Sequence, residues 1–116
     1  MLKTAWKFAK LPPGDLRLGI YSHGSALGRR LAPDRDVLTK YKNGELDWSA
    51  FSQLYLEKIQ KMWDAKDEAI MTVARFVRED QRTLWIVCWE QQTNPLCHRH
   101  LLLKFLEEKF PSPDKT

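Results

Sequence analysis

The sequence predicts an α/β fold: a single small domain with a mainly parallel central sheet flanked by helices. Three observations carry that expectation. Residues 84–89 (LWIVCW) are apolar throughout, as a strand covered on both faces must be. Residues 48–62 and 66–78 repeat apolar side chains at three- and four-residue steps, the period of amphipathic helices. The strand-like segments are separated by these long helical stretches instead of tight hairpin turns, so the strands pair in parallel.

The elements follow in order. Residues 3–9 alternate loosely and read as an edge strand. Pro12-Pro13-Gly14-Asp15 then breaks the chain. Residues 16–21 (LRLGIY) form a second strand. Ser22-His23-Gly24-Ser25, with Gly28-Arg29-Arg30 beyond, is a polar loop rich in small residues. Pro33 and Asp34 open a short helix through Lys42, which Asn43-Gly44 ends because glycine accepts the left-handed cap. Asp47 suits the N-cap of the next helix, whose apolar face carries Trp48, Phe51, Leu54, Tyr55, Ile59 and Met62. Trp48, Phe51, Tyr55 and Trp63 are assigned to the core. Residues 66–78 present Ile70, Val73, Ala74 and Val77, and Glu79-Asp80-Gln81-Arg82 forms a charged turn. After the 84–89 strand, Asn94 is placed as N-cap and Pro95 as first residue of a last helix. Leu101, Leu102, Phe105 and Leu106 give that helix its buried stripe, and Lys109 complements the dipole at its end. Residues 1–110 make the domain, and residues 111–116 (PSPDKT) a flexible tail.

Composition bounds the function. The chain has 116 residues, enough for one core without disulfide or metal staples. A hydrophobic fraction of 43% and five tryptophans exclude a disordered chain. Nineteen basic against fifteen acidic residues give +4, which permits contact with phosphates without demanding it, since both signs are scattered. The opening MLKTAWKFAKLPPG lacks the apolar run of about 7–15 residues that a secretory signal needs. No stretch approaches the ~20 apolar residues of a membrane span. Two cysteines in such a chain are expected to be reduced thiols in the cytoplasm.

Chemistry-bearing residues concentrate in WIVCWEQQTNPLCHRH, residues 85–100, which hold both cysteines and two of the three histidines. With Asn94 as cap, Cys97 falls at the third helical position, near unpaired N–H groups and the positive end of the dipole, a setting that stabilises a thiolate. Cys97 is therefore the expected nucleophile or redox thiol, with Glu90 and His98 orienting or exchanging a proton. Arg99, His23 and Ser22 are the expected anion-binding residues, because polar segments that follow parallel strands meet beyond their carboxyl ends. Cys88 lies inside the strand, where a free cysteine acts as a small apolar residue. The structural alternative is that Cys97 only packs, His98 bonds a backbone carbonyl and Arg99 braces Glu90. Cys88, Cys97, His98 and His100 are potential metal ligands, but the paired-cysteine spacing is missing and His98 and His100 point about 200° apart on a helix. No metal and no cofactor are expected. A disulfide between Cys88 and Cys97 requires the loop to fold back, and a permanent one is not expected.

Cys88-Trp89-Glu90, a short loop and Cys97-His98-Arg99 ahead of an apolar helix resemble the domain of unknown function 488 family, whose members carry a strand ending in Cys-x-Glu and a helix opening with Cys-His-Arg. Leu2-Lys3-Thr4, Leu31-Ala32-Pro33, Tyr41-Lys42-Asn43-Gly44 and the helix from Trp48 to Tyr55 look like its shorter branch, so the likeness covers residues 2–110. Where that family often has Ser-Arg-Gly after the first strand, this chain has Ser22-His23-Gly24. An anion role there requires His23 to be protonated. The resemblance implies an α/β fold and a shared polar site, and no particular reaction.

The leading expectation is a pocket with a thiol, for a small anionic ligand, at the carboxyl ends of the strands. The alternatives are a nucleotide- or nucleic-acid-binding module with structural cysteines, motivated by Arg17, Arg29, Arg30 and Lys40, and a non-catalytic interaction protein. Nucleic acid is not the favoured partner, no membrane is expected, and the sequence sets no oligomeric state.

Overall fold

A computed structural model of the chain describes residues 2–6, 9–21, 25–79, 82–88 and 97–109. Three strands, β1 (Leu2–Trp6), β2 (Leu16–Gly19) and β3 (Leu84–Cys88), form one parallel sheet in the order β1-β3-β2. The α/β expectation holds, and the apolar strand is the central one. Leu84 stands level with Leu2 and Leu16, and Ile86 with Thr4 and Leu18. Pairing with β2 runs one residue past the strand, because the Ile20 N–H donates to the Val87 carbonyl at 2.9 Å.

Five helices lie among the described residues: α1 (Ala26–Arg30), α2 (Arg35–Lys42), α3 (Trp48–Asp64), α4 (Glu68–Glu79) and α5 (His98–Lys109). Local chemistry sets most of their ends. The Asp47 carboxylate accepts from the Ala50 N–H at 2.8 Å and starts α3. Gly44, at φ +79°, turns the chain after α2 as expected of a glycine there. Lys66 takes a left-handed φ of +52°, while the N–H groups of Lys66 and Asp67 close back onto the Trp63 and Met62 carbonyls. That turn ends α3 and delays α4 to Glu68, two residues later than expected.

α1 was not expected, since residues 22–30 read as a loop. Ser25 caps it through a bond from the Gly28 N–H to Oγ at 3.1 Å. Gly28 then lets the helix lie directly on β2, because a Cβ there would sit 1.8 Å from the Gly19 carbonyl oxygen. The α3 face also differs from expectation at three residues. Phe51, Tyr55 and Ile59 are buried, but Leu54 is 40% exposed and Trp48 and Trp63 are half-buried. The broad apolar stripe narrows because α3 packs against α2, α4 and α5 along one side.

The core lies on one face of the sheet. Leu18, Ile20, Leu84 and Ile86 meet Tyr55 and Ile59 of α3, Ile70 and Val73 of α4, and Leu102, Phe105 and Leu106 of α5. Trp85 points to the opposite face, level with Lys3 and Arg17. There its indole N–H donates to Asp15 at 2.8 Å and the Lys3 ammonium lies 5.3 Å from its ring centroid. It is half-buried, so the central strand is covered on both sides but unequally. Of the residues expected to extend β1 and β3, Ala9 lies outside β1, and residues 7, 8 and 89 lie outside the described residues. So do Asp80 and Gln81 of the charged turn and the tail 111–116.

Candidate functional site

The parallel order puts the carboxyl ends of β2 and β3 side by side, and α5 begins there. Alternation along β3 brings Cys88 to the same face as Leu84 and Ile86, the face that α5 covers. Cys97 stands immediately before the first helical residue, not at the third helical position that the sequence suggested. Its carbonyl accepts from the His100 N–H at 3.1 Å. Asn94 and Pro95, the expected start of the helix, lie outside the described residues.

The two sulfurs are in contact. The Cys97 thiol donates to the Cys88 sulfur at 3.0 Å, and both cysteines are reduced and 1% exposed. His98, 5% exposed, lies against both. Its Nδ1 is 3.8 Å from the Cys88 sulfur and 3.9 Å from that of Cys97, and its Nε2 is 3.6 Å from Cys88. Nε2 also lies 2.7 Å from the Ile20 carbonyl oxygen. A carbonyl only accepts, so Nε2 carries the proton and donates. This bond ties the first residue of α5 to the end of β2, and it matches the backbone-carbonyl bond that the structural alternative foresaw.

Arg99 is fully buried, and its Nη1 donates to the Cys97 sulfur at 3.6 Å. Tyr55 of α3 packs the edge of its ring on His98, with centroids 5.7 Å apart, while its hydroxyl donates to the Leu31 carbonyl at 2.7 Å. Burial, and then the nearby Cys88 and Cys97, push the Tyr55 phenol well up from its ordinary value. The Cys97 thiol is also pushed up. The bond to Cys88 is the largest cause, burial and the charge of Cys88 follow, and the Arg99 backbone and guanidinium pull the other way.

Of the residues expected to act, Cys97, His98 and Arg99 come together. Ser22, His23 and Glu90 lie outside the described residues, and so does the expected pairing of Glu90 with Arg99. The premise for bringing their segments together does hold, because β2 and β3 are parallel neighbours. Arg17, one of the residues that motivated the nucleic-acid alternative, bonds the Ala9 carbonyl at 2.9 Å from the sheet face that also carries Trp85. Arg30 pairs with Asp67 at 2.5 Å. Two members of the cluster were left out of the expected site: Cys88, weighed as a metal ligand or disulfide partner but assigned to the apolar strand, and Tyr55, assigned to the core. Cys88 carried a usable signal, as the last residue of a central strand whose alternation faces the following helix.

The family DUF488-N3a, described as the active DUF488-N3 subclade, matches residues 22–110. No curated protein and no solved structure gives a match.

Proposed function

The chain belongs to the active DUF488-N3 subclade, and from that premise we propose that it is a dithiol protein in which Cys88 and Cys97 undergo thiol–disulfide exchange with a small anionic substrate. The observation that supports this most is the 3.0 Å contact between two reduced sulfurs at the carboxyl end of the central strand. Cys97 keeps its hydrogen directed at Cys88, so Cys88 is the sulfur better prepared to carry negative charge and attack. Cys97 becomes the resolving thiol. This assignment exchanges the roles expected from the sequence, where Cys97 was the attacking thiol.

The Cys88 thiolate attacks one sulfur of a substrate disulfide, RSSR, forming a mixed disulfide and expelling RS⁻. Cys97 gives up its proton and attacks the Cys88 sulfur, releasing the second RS⁻. Two protons from the protein thiols end on two RSH, and two electrons pass from the cysteine pair to the substrate. Arg99 stabilises charge on the Cys97 sulfur, and His98 orders both sulfurs beside it. Arg99, with Ser22 and His23 that follow β2 in the chain, is proposed to hold the anionic substrate, and Glu90, which follows β3 in the chain, to exchange a proton. The partner in this reading is a small molecule and not a nucleic acid, and its compartment is the reducing cytoplasm.

Oxidised glutathione, a disulfide with several carboxylates, tests the reading. Mass spectrometry of the reduced chain after exposure should show the loss of two hydrogens and protection of both cysteines from alkylation. Cys97→Ser should instead retain glutathione on Cys88. A chain whose cysteines stay reduced at every glutathione ratio, or a Cys88→Ser variant that traps glutathione on Cys97 equally fast, would refute it.

A further inference from the structure

The cysteine pair and the imidazole beside it are also a complete set of soft donors. We propose that Cys88, Cys97 and His98 form a three-coordinate site for a soft monovalent cation of filled d shell, with Cu(I) as the ion of that class. The inference uses the same reduced thiols as the proposed redox role, but it does not require either of them to act as a nucleophile.

Three observations carry it. The first is spacing. The donor atoms of the three residues all lie within 4.8 Å of one another, and all three side chains are buried. Bonds of about 2.3 Å to sulfur and 2.0–2.1 Å to nitrogen, opened to a trigonal angle, set sulfur and nitrogen about 3.8 Å apart. The distances from Nδ1 to the two sulfurs are 3.8 and 3.9 Å. The sulfurs, now 3.0 Å apart around a shared hydrogen, have to separate to about 4 Å, roughly half an ångström each. Loss of that hydrogen removes the contact that draws them together.

The second is the histidine. Its Nε2–H is given to the Ile20 carbonyl at 2.7 Å, so the neutral ring keeps its lone pair on Nδ1. A ligating histidine is oriented by such a bond from its other nitrogen to a backbone carbonyl, which fixes both tautomer and ring position.

The third is charge. Two thiolates supply −2, and the buried Arg99 guanidinium at 3.6 Å from Cys97 supplies +1. A monovalent ion brings the sum to zero. Counted over Cys88, Cys97, His98 and Arg99, a divalent ion adds one positive charge beyond that balance, and a buried charge is costly. Among the described residues, the metal-ligating side chains that converge here are two thiols and one imidazole. Soft thiolate donors with imidazole suit Cu(I). Binding releases the two thiol protons, so affinity rises with pH.

The test uses the reduced, metal-free full chain without oxygen. Cu(I) is supplied from a bicinchoninate complex, and Zn(II) from a chromophoric zinc chelator. One Cu(I) per monomeric chain should be taken up, in preference to Zn(II), and X-ray absorption at copper should show two sulfurs and one nitrogen. Cys88→Ser and Cys97→Ser should each weaken Cu(I) binding by about a hundredfold or more, and His98→Gln by about ten- to a hundredfold. Circular dichroism checks that each variant is folded, and the X-ray absorption of the unaltered chain decides the matter where one is not. A copper shell of sulfur alone, copper shared between two chains, tighter binding of Zn(II), or folded variants with undiminished affinity would overturn the site. Failure to react with oxidised glutathione would remove the proposed redox role and leave this site standing.

Discussion

Cys97 holds its proton more firmly than a free thiol does, because Cys88 receives the hydrogen and both are removed from water. Its folded-state pKa is raised above the unfolded value, ~8.5 for a free cysteine. Above that pH the unfolded chain loses the proton first, so the native state binds more protons and unfolding becomes easier as pH rises. The stabilisation is complete below about pH 8.5 and declines as pH climbs through the native pKa. Tyr55 adds a decline of the same sign above its ordinary value of about 10. Urea midpoints taken from pH 7 to 10 should therefore fall, and Cys97→Ala should flatten the part that begins near pH 8.5. A profile in which the alanine variant declines as steeply would show that the thiol is not responsible. Tyr55 also makes a structural contribution that can be measured at neutral pH. Tyr55→Phe leaves the buried Leu31 carbonyl without the phenol donor and should cost about 1–2 kcal/mol in chemical denaturation.

Among the elements, α1 depends on a single glycine. A methyl group at Gly28 would meet a backbone carbonyl of β2 at 1.8 Å, so the helix and strand must separate for it to fit. Gly28→Ala should cost about 3 kcal/mol or more, at the top of the range for overpacking, despite alanine's better helix propensity. A thermal melt equal to that of the parent chain would mean α1 is free to lift from β2. The cap of α3 gives a smaller effect. Asp47→Ala should lower stability by about 1 kcal/mol through loss of the bond to the Ala50 N–H. The difference in size is physical: a cap exchanges one exposed hydrogen bond for water, whereas Gly28 is pressed against main chain.

At the scale of the molecule, β3 is the element to which the others attach. It pairs with both other strands, and α5 rests on it. Its amides should be the last to exchange with deuterium, and those on the open edges of β1 and β2 should exchange sooner, because edge strands open without disrupting the sheet. Ile86, fully buried in the middle of β3, should cost about 2–5 kcal/mol when replaced by alanine. Exchange as fast in β3 as in β1 would contradict the central position of the strand. The described residues contain no helix long and apolar enough to cross a membrane.

The apolar run that becomes β3 could be recognised directly, because only a strand covered on both sides tolerates leucine, tryptophan, isoleucine and valine in succession. The Asp47 cap and the Gly44 turn were equally legible, since each acts through the backbone of its immediate neighbours. The family was legible from Cys88, Cys97, His98 and Arg99 standing in order along the chain, and the match over residues 22–110 bears it out. α1 was hidden because its reason is a close approach between Gly28 and Gly19, a contact between separate elements that no local pattern encodes. The pairing of the thiols was hidden for the same reason. Local spacing assigned Cys97 to a helical turn and Cys88 to the core. Their contact depends on where α5 meets the end of β3, and the Ile20 carbonyl of a third segment fixes His98 there. The sequence by itself determined the strands and the helices other than α1, and which residues could do chemistry, because those properties act over a few residues. Only the tertiary structure decided that the strand cysteine joins the site and that both thiols are shielded from water, because proximity and burial arise when distant segments pack.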